Sequence, residues 1–475
     1  MNNFFISSEA FPFSKSGGLA DMAYFLPKSL NALGHHVKVV TPFYQQIKKY
    51  KKDMIYVGTK TINVSQEQWV FDYYKLIYEK TTYYFIQNIH FFERPNFYGH
   101  DDDFIRFIAF DYAVLELFSL IDDYPEILHI NDWQTGMIPY LLDEHYREIN
   151  EHYYKIHTLL TIHNMQYQGS FDPSNYHYLS DYFDYTYIHF ERINFLKAAI
   201  ERSTKINTVS PTYKNEILNQ SHGFTLDGAL KHRYHDLSGI LNGIDESLFD
   251  PNTDHNLTYN YHIKNAVSIK KKLKKEALIQ YQLNPDIYVP LIVYIGRLAD
   301  QKGINLILQT IEDSIEFSDA NFIIMGSGES RYEDAIIRLT QNHPNRIANY
   351  IGFNESVAHK LYAASDLFLM PSFFEPCGLG QMIAMKYGSL PIVHETGGLK
   401  DTVIPYNQYT CEGTGFSFMH ATPNDLKEQI FNATDLYINH KLKFNALMRQ
   451  AMRQDFSVER MASSYEALYK LILGE

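Results

Sequence analysis

The chain has 475 residues, of which 45% are hydrophobic and 20% are charged, and its formal net charge is −13 at pH 7. This length exceeds one ordinary hydrophobic core, so we expect two or three domains. The acidic balance disfavours nucleic acid as a partner, and no apolar run reaches the roughly 18 residues that a membrane-spanning helix needs.

The first half of the chain predicts an open parallel sheet. Residues 3–7 have the pattern of a strand, residues 20–33 that of a helix ending at Gly34, and residues 36–41 that of a second strand. This strand–loop–helix–strand order is how a doubly wound α/β sheet begins. Further strands are predicted at 83–86, 127–130, 158–162, 205–209 and 238–241, with a small antiparallel addition over 47–80.

The second half begins a fresh α/β series after a turn at residues 242–245. Its predicted strands are 289–296, 321–325, 348–351, 367–370 and 389–393, and its predicted helices include 304–317 and 378–387. We expect a first domain over 1–245, a second over 246–456, and a terminal helix in 457–475 that packs back on the first domain. The basic run at 270–275 is interpreted as a solvated helix face.

One stretch, residues 366–401, carries the clearest chemistry. Two buried strands and a helix enclose a loop with one carboxylate, Glu375, and the second strand leads to the turn Thr396-Gly397-Gly398. Backbone amides at such a helix start can face an anion. Residues 16–21 (SGGLAD) echo residues 396–401 (TGGLKD), which indicates two similar sheets.

A pair of cations supports a phosphate site. Arg297 and Lys302 lie five residues apart in a loop closed by Gly303. At that spacing a planar guanidinium and an ammonium can straddle a pyrophosphate. The alternative is two surface cations, which we disfavour because Glu375 and the glycine turns accompany them.

Other motifs favour structural roles. The turn at 325–329 lacks the third glycine of a dinucleotide fingerprint, since Arg331 occupies that position, so a tight turn is the better interpretation. Asp132 is expected to cap the helix that begins near Trp133. The acidic triplet 101–103 fits a helix start better than a metal site, and we expect no metal.

The histidines and cysteines could have either functional or structural roles. His129 and His163 follow strands, where ligands bind in open α/β sheets, but a lone histidine there is as often structural. Cys377 has no neighbour in sequence that would activate it as a nucleophile. Cys377 and Cys411 are the only cysteines, which favours a reducing compartment, so we expect a cytoplasmic protein.

These motifs, in this order along nearly the whole chain, resemble the bacterial-type glycogen (starch) synthases. The segments that carry the resemblance are 15–21 (KSGGLAD), 129–133, 161–169, 207–213, 242–245, 296–303, 375–381 (EPCGLGQ) and 396–401. The resemblance implies a GT-B fold, with two Rossmann-like domains facing a deep cleft. It also implies a retaining glucosyltransferase that needs no cofactor, with a nucleotide-glucose donor and an α-1,4-glucan (glycogen) acceptor.

The resemblance also implies roles for individual residues. Arg297 and Lys302 are expected to neutralise the diphosphate leaving group, Glu375 to hold glucose hydroxyls, and His163 to lie beside the glucose. The expected substrate-binding set is Lys15, Gly17, Gly18, Asp21, Tyr98, Asn242, Cys377, Gly378, Leu379 and Thr396.

Three positions depart from the family pattern. Ser16 stands where threonine is usual, which keeps the hydroxyl, and Gly380 stands where some members carry threonine. Ile383 occupies the position, eight residues after Glu375, where the wider superfamily often has a second glutamate. Ribose recognition is therefore left to other groups.

The residues and the resemblance leave several questions open. Because no back-face carboxylate is evident, we expect front-face transfer assisted by the departing phosphate. ADP-glucose is favoured over UDP-glucose, and oligomeric state is not predicted. The alternatives are another GT-B transferase, such as a phosphorylase or a sucrose-forming enzyme, and a catalytically silent glucan-binding protein.

Overall fold

The computed structural model describes residues 1–179 and 184–475. The chain forms two compact units. The first comprises Met1–Ile240 together with Val458–Glu475, and the second comprises Leu241–Ser457.

The strands carry the parallel sheets and set the positions of the loops discussed below. In chain order they are β1 (Asn2–Ile6), β2 (His36–Pro42), β3 (Ile55–Val64), β4 (Glu67–Tyr78), β5 (Thr81–Gln87), β6 (Ile127–Asn131), β7 (His157–Ile162), β8 (Ser170–Phe171), β9 (Ile188–His189), β10 (Arg192–Asn194), β11 (Lys205–Thr208), β12 (Leu237–Gly239), β13 (Leu291–Ile295), β14 (Asn321–Gly326), β15 (Ile347–Ile351), β16 (Leu367–Met370), β17 (Leu390–His394) and β18 (Phe416–Phe418).

The helices connect these strands. They are α1 (Gly18–Ala32), α2 (Ile89–Phe92), α3 (Asp103–Ile121), α4 (Ile138–Leu141), α5 (Glu151–Tyr154), α6 (Phe195–Arg202), α7 (Pro211–Glu216), α8 (Gln220–Gly223), α9 (Asp227–His232), α10 (Ala266–Gln280), α11 (Ile304–Ser318), α12 (Ser330–Asn342), α13 (Glu355–Ala364), α14 (Gly380–Lys386), α15 (Gly397–Thr402), α16 (Pro423–Asn439), α17 (Lys441–Ala451) and α18 (Val458–Leu473). Over the described residues, none of them combines the length and apolarity that crossing a membrane requires.

The first unit is built on a sheet with the order β12-β11-β7-β6-β1-β2-β5-β4-β3. Strands β12 to β5 pair in parallel, and β4 and β3 add an antiparallel edge, as the irregular pattern over residues 47–80 predicts. The chain passes from β1 to β2, crosses to the edge strand β3, comes back through β4 to β5, and then continues to β6 on the other side of β1. The strand order therefore reverses between β1 and β6.

The second unit has a parallel sheet with the order β15-β14-β13-β16-β17-β18. This is the 3-2-1-4-5-6 arrangement of a Rossmann-like fold. Its order reverses between β13 and β16, so the loops after these two strands flank the switch point. The sequence predicts five of these strands but not β18, which has only three residues.

Helix α18 belongs to the first unit, where buried polar contacts hold it. His129 Nδ1 lies 2.7 Å from the hydroxyl of Tyr469, and His129 Nε2 lies 2.7 Å from Thr161 Oγ1. Asn207 Nδ2 donates to the hydroxyl of Tyr465 at 2.9 Å. These contacts join the strands β6, β7 and β11 to α18. His129 therefore has a structural role in this unit, one of the two alternatives that the sequence leaves open.

The basic run on α10 is a solvated face only in part: Lys272 and Lys275 are exposed, as the sequence interpretation expects, but two other lysines of the run are buried. Lys270 and Lys274 are 5% and 1% exposed. Lys270 Nζ donates to the carbonyls of Ala363 and Tyr387, and Lys274 Nζ lies 2.6 Å from Asp366 Oδ2. Burial lowers the pKa of Lys270 to about 7. A charge run alone does not distinguish a lysine in water from one that carbonyls and a carboxylate surround.

Replacement of Tyr469 by phenylalanine should destabilise the protein, because His129 Nδ1 then loses its partner inside the unit. We expect a loss of about 1–3 kcal/mol in the free energy of unfolding, the usual cost of a buried polar atom without a partner. Thermal or urea unfolding measures it. The matched control is Tyr154→Phe, at a tyrosine that is 75% exposed, which should change stability little. Equal stabilities of the two variants would contradict the structural role of the His129–Tyr469 contact.

Candidate active site

The loop after β1 leads directly into α1. Lys15 is exposed, and its Nζ lies 2.7 Å from Asp21 Oδ1 in the first turn of the helix. A Cβ placed on Gly17 or Gly18 would have no atom within 4 Å. The structure thus brings Lys15, Gly17, Gly18 and Asp21 together at one open helix start.

A buried carboxylate supports this loop from its inner side. Glu9 is 3% exposed, and it accepts hydrogen bonds from the backbone amide and the hydroxyl of Ser16 and, at 3.2 Å, from the amide of Gly17. The hydroxyl of Tyr98 donates to Glu9 Oε1 at 2.7 Å and also lies 2.8 Å from Ser8 Oγ. Tyr98 is therefore connected to the loop through Glu9.

His163 is held at the end of β7 by the residues that end β6. Asn131 donates from Nδ2 to the carbonyl of Ile6 at 2.9 Å, so its Oδ1 faces His163 Nε2, 2.9 Å away. Burial lowers the pKa of His163 to about 4, which keeps the ring neutral with Nε2–H as the donor. His163 therefore has a fixed orientation at the carboxyl edge of the first sheet.

Asp132 does not cap the following helical turn, contrary to the sequence prediction. Its Oδ1 accepts the backbone amide of His163 at 2.7 Å, and no side-chain cap bond forms to the turn that starts at Trp133. Burial raises the pKa of the Asp132 carboxyl to about 7, against the lowering effect of amide hydrogen bonds from His163 and Asn164. The carboxylate faces the neighbouring strand end because Asp132 has a φ of 55°, outside the usual capping conformation.

In the second unit, the two predicted cations follow β13. Arg297 is exposed and its carbonyl accepts the hydroxyl of Tyr294 at 2.7 Å. Lys302 ends a short turn before Gly303, whose φ is +71°. A Cβ on Gly303 would lie 2.1 Å from the carbonyl oxygen of Pro371, so only glycine allows the loops after β13 and β16 to approach this closely.

Glu375 and Lys302 are in direct contact. The Nζ of Lys302 lies 2.5 Å from Glu375 Oε2, which also accepts the Ser372 hydroxyl at 3.1 Å. The Glu375 side chain is 8% exposed. The side chain of Gln301 donates to the carbonyl of Phe374 at 3.0 Å, which further joins the two loops. A cation and a carboxylate therefore sit together at the switch point of the second sheet.

The Gly397–Gly398 turn, predicted as an anion site, packs closely against the Glu375 loop. The amide of Gly398 donates to the carbonyls of Glu375 and Pro376, both at 3.2 Å. A Cβ on Gly397 would lie 2.0 Å from the Glu375 carbonyl oxygen, and one on Gly398 would lie 2.1 Å from that of Cys377. These glycines are needed because the start of α15 packs against the backbone of the Glu375 loop.

Cys377 and Asn242 lie together in the second unit, although the predicted boundary assigns Asn242 to the first domain. The backbone amide of Asn242 hydrogen-bonds to the Cys377 thiol, and burial raises the pKa of that thiol to about 12. Such a thiol stays protonated at neutral pH, which agrees with rejecting a nucleophilic role. Gly378 follows with a φ of +73°, and Leu379 directly precedes α14.

Two other motifs are structural. Within the turn at 325–329, a Cβ on Gly326 would lie 1.9 Å from the carbonyl oxygen of Gly296, so this glycine serves a close approach between loops. In the acidic triplet, Asp102 binds Arg94 through two contacts of 2.6 Å, and Asp103 pairs with Arg106. Among the described residues no group of three or more potential metal ligands comes together.

Glu9 and Asn131 are parts of the site that were not predicted from the sequence. Glu9 is a carboxylate three residues after β1, and Asn131 is the last residue of β6. The sequence offered one indication of their role, which is their position: Glu9 follows β1 and Asn131 ends β6, the two strands that flank the switch point of the first sheet.

Comparisons with known proteins agree with this geometry. Residues 4–232 match the family model of the starch synthase catalytic domain, and residues 289–443 match that of glycosyl transferases group 1. The glycogen synthase of Acholeplasma laidlawii (strain PG-8A) is 58% identical over 476 residues, covering 100% of both chains. The glycogen synthase of Exiguobacterium sibiricum is 44% identical over 487 residues, covering 99% of each.

A solved structure is also similar to this chain. The catalytic domain of starch synthase IV from Arabidopsis thaliana, bound to ADP and acarbose, superimposes with a TM-score of 0.88 at 30% identity. The match covers 100% of this chain and 99% of that one, so the two-unit fold is shared over its full length. The chain therefore belongs to the family of starch and glycogen synthases and is a retaining glycosyltransferase.

Proposed function

We propose that the enzyme transfers glucose from a nucleotide-glucose to the non-reducing 4-hydroxyl of an α-1,4-glucan. The observation that carries the proposal is the 2.5 Å contact between Lys302 Nζ and Glu375 Oε2. It sets a group suited to a departing phosphate beside a group suited to sugar hydroxyls. The second unit is then the nucleotide-sugar side and the first unit the acceptor side.

The leaving group determines the chemistry of this step. The bond between glucose C1 and the phosphate oxygen breaks, and negative charge develops on the nucleoside diphosphate. Arg297, which is exposed after β13, and Lys302 supply fixed positive charge for that group. The acceptor 4-hydroxyl attacks C1 from the face that the phosphate leaves and gives its proton to the departing phosphate oxygen, so configuration is retained.

Glu375 and His163 orient the sugar and do not attack it. Glu375 is already hydrogen-bonded to Ser372 and paired with Lys302, an arrangement suited to accepting hydroxyl donors. His163 is a neutral ring of fixed orientation, and because its Nε2–H donates to Asn131, its Nδ1 can accept from a glucose hydroxyl without adding charge to the reacting face. The backbone of Cys377, Gly378 and Leu379 is proposed to complete the sugar contacts.

Further contacts to the donor come from the other residues expected on family grounds. In the first unit, Lys15 and the amides of Gly17 and Gly18 are proposed to bind phosphate, with Asp21 orienting Lys15 through their 2.7 Å contact. The remaining substrate-binding residues of the proposal are Tyr98, Asn242 and Thr396. Asn242 Oδ1 is buried and lacks a hydrogen-bond partner within the described chain, so it can accept a hydrogen bond from the substrate.

ADP-glucose is the proposed donor, supported by the ADP bound to the Arabidopsis starch synthase IV domain. The acceptor follows from the glycogen synthases to which the chain is similar. The two free thiols, Cys377 and Cys411, are compatible with our proposal that the enzyme works in the reducing cytoplasm.

Removal of either leaving-group cation should reduce turnover strongly. For Arg297→Ala and Lys302→Ala we expect kcat to fall by at least about 100-fold, the usual effect of deleting one preorganised electrostatic contact. Arg297→Ala is the cleaner test, because its side chain is exposed, whereas Lys302→Ala also leaves Glu375 without its cation. Initial rates of glucosyl incorporation into glycogen give the measurement.

The control for these variants is Lys272→Ala, which removes an exposed cation from α10 in the same unit and should leave kcat unchanged. Circular dichroism spectra should show that all three variants remain folded. A kcat near the parent value for Arg297→Ala would argue against the proposed role in leaving-group stabilisation.

The nucleotide preference is decided by comparing the two donors directly. We expect kcat/KM for ADP-glucose to exceed that for UDP-glucose by at least about tenfold, which corresponds to about 1.4 kcal/mol of differential transition-state binding. Saturation kinetics with each donor and glycogen as acceptor provide the ratio. A ratio below one would assign the enzyme to UDP-glucose.

Gly398→Ala should disturb the Glu375 loop. The new Cβ would lie 2.1 Å from the Cys377 carbonyl oxygen, and backbone atoms must shift to relieve that contact. We expect a destabilisation of about 1–3 kcal/mol and a lower kcat, because Glu375 moves with its loop. In Gly228→Ala, by contrast, the Cβ meets nothing within 4 Å, and this helical position should tolerate or gain from alanine. Thermal unfolding and transfer rates of the two variants are compared, and equal Tm values would refute the packing argument.

A further inference from the structure

Glu9 is an ionisable group that none of the roles above uses. It lies three residues beyond β1, in the loop that leads to α1, and is 3% exposed. A carboxylate at this depth is costly unless hydrogen-bond donors surround it. Its position beside the proposed phosphate loop therefore needs a physical reason.

Four donors converge on the two oxygens of Glu9. Oε2 accepts the amides of Ser16 and Gly17, and Oε1 accepts the hydroxyls of Ser16 and Tyr98, at 2.5 and 2.7 Å. Three of the four donors belong to residues 16–17, directly before the first residue of α1. An ionised carboxylate accepts all four, whereas a neutral amide has one oxygen for the two backbone amides and an N–H₂ group that pairs with the hydroxyls only if both turn to accept.

The two sides of this loop differ. On the inner side the loop is tied to Glu9, while on the outer side Lys15, Ser16, Gly17 and Gly18 are all exposed. A Cβ on either glycine would meet no atom within 4 Å, so a ligand can approach the backbone there. Glu9 thus fixes the loop without occupying its open face.

We propose that Glu9 is a positioning residue for donor binding, which holds the 15–18 loop in the conformation that binds the donor's phosphate. The inference rests on the proposed function of that loop. Because Glu9 is negative, direct contact with phosphate would be repulsive, so its effect must come through the geometry of Ser16 and Gly17. The second unit has a comparable device, since the backbone carbonyls of Glu375 and Pro376 hold the Gly398 amide at the start of α15.

Glu9→Gln tests the proposal, since the glutamine amide keeps the size of the side chain but removes the negative charge that strengthens these hydrogen bonds and requires the hydroxyls of Ser16 and Tyr98 to turn and accept. We expect the KM for nucleotide-glucose to rise about tenfold, with kcat changed by less than about threefold. The Kd of ADP, measured by calorimetric titration, should rise by the same factor. The matched control is Glu93→Gln, at a glutamate whose side chain is 5% exposed and pairs with Lys48 in the same unit, and it should change neither constant.

Ser16 supplies variants that keep the carboxylate and lie at an exposed position, where folding is not at risk. Ser16→Ala removes the hydroxyl donor and should raise the donor KM about threefold, whereas Ser16→Thr keeps a hydroxyl and should restore the parent value. In the double variant Glu9→Gln/Ser16→Ala, the KM should stay close to that of Glu9→Gln alone, because both changes act through one contact.

The outcomes separate this inference from the proposed function. Equal Kd values for ADP in the parent enzyme and Glu9→Gln, or additive effects in the double variant, would overturn the positioning role. If the parent enzyme bound ADP but transferred no glucose to glycogen, the proposed function would be wrong. The ADP titration would still decide the role of Glu9.

Discussion

A buried carboxylate must be surrounded by donors, and this requirement shapes the candidate site in both units. Glu9 accepts hydrogen bonds from the amides and the hydroxyl of the loop that starts α1. Glu375 pairs with Lys302 and accepts the Ser372 hydroxyl after β16. Without these partners each carboxylate would lose several kcal/mol of solvation without compensation. The same carboxylates therefore fix the two loops on which the proposed chemistry depends.

Sheet topology explains why these loops hold the candidate site. Strand order reverses between β1 and β6 in the first unit and between β13 and β16 in the second. Glu9, Lys15 and Asp132 follow the first pair, and Lys302 and Glu375 follow the second. Because neighbouring crossovers leave in opposite directions at a reversal, a crevice opens at the carboxyl ends of those strands.

Much of the fold was predictable, because buried parallel strands are short apolar runs between helical segments. The positions of Lys302 and Glu375 after buried strands were also predictable, since both follow such runs. Their direct contact was not, because it depends on Gly303 allowing two loops, far apart in sequence, to approach. Likewise, residue type alone could not show that Lys270 and Lys274 are buried or that Asp132 faces the neighbouring strand.

The two glycine turns also show that a short sequence does not predict which residues it contacts. SGGLAD and TGGLKD are nearly identical strings and both start a helix, yet Gly17 and Gly18 face open space while Gly397 and Gly398 lie against backbone carbonyls. A glycine pair permits either an open backbone or a tight contact between backbones. Only the neighbouring loop, which the sequence of the turn does not contain, decides between these uses.

The contacts of α18 have a consequence for synthesis. The first unit is nearly complete in sequence by Ile240, but its last helix is translated only after the whole of Leu241–Ser457. Until then, His129 and Asn207 lack the tyrosine hydroxyls that satisfy them in the finished protein. On the ribosome, the portion made first is therefore the portion finished last, because the first unit stays incomplete until α18 has been translated.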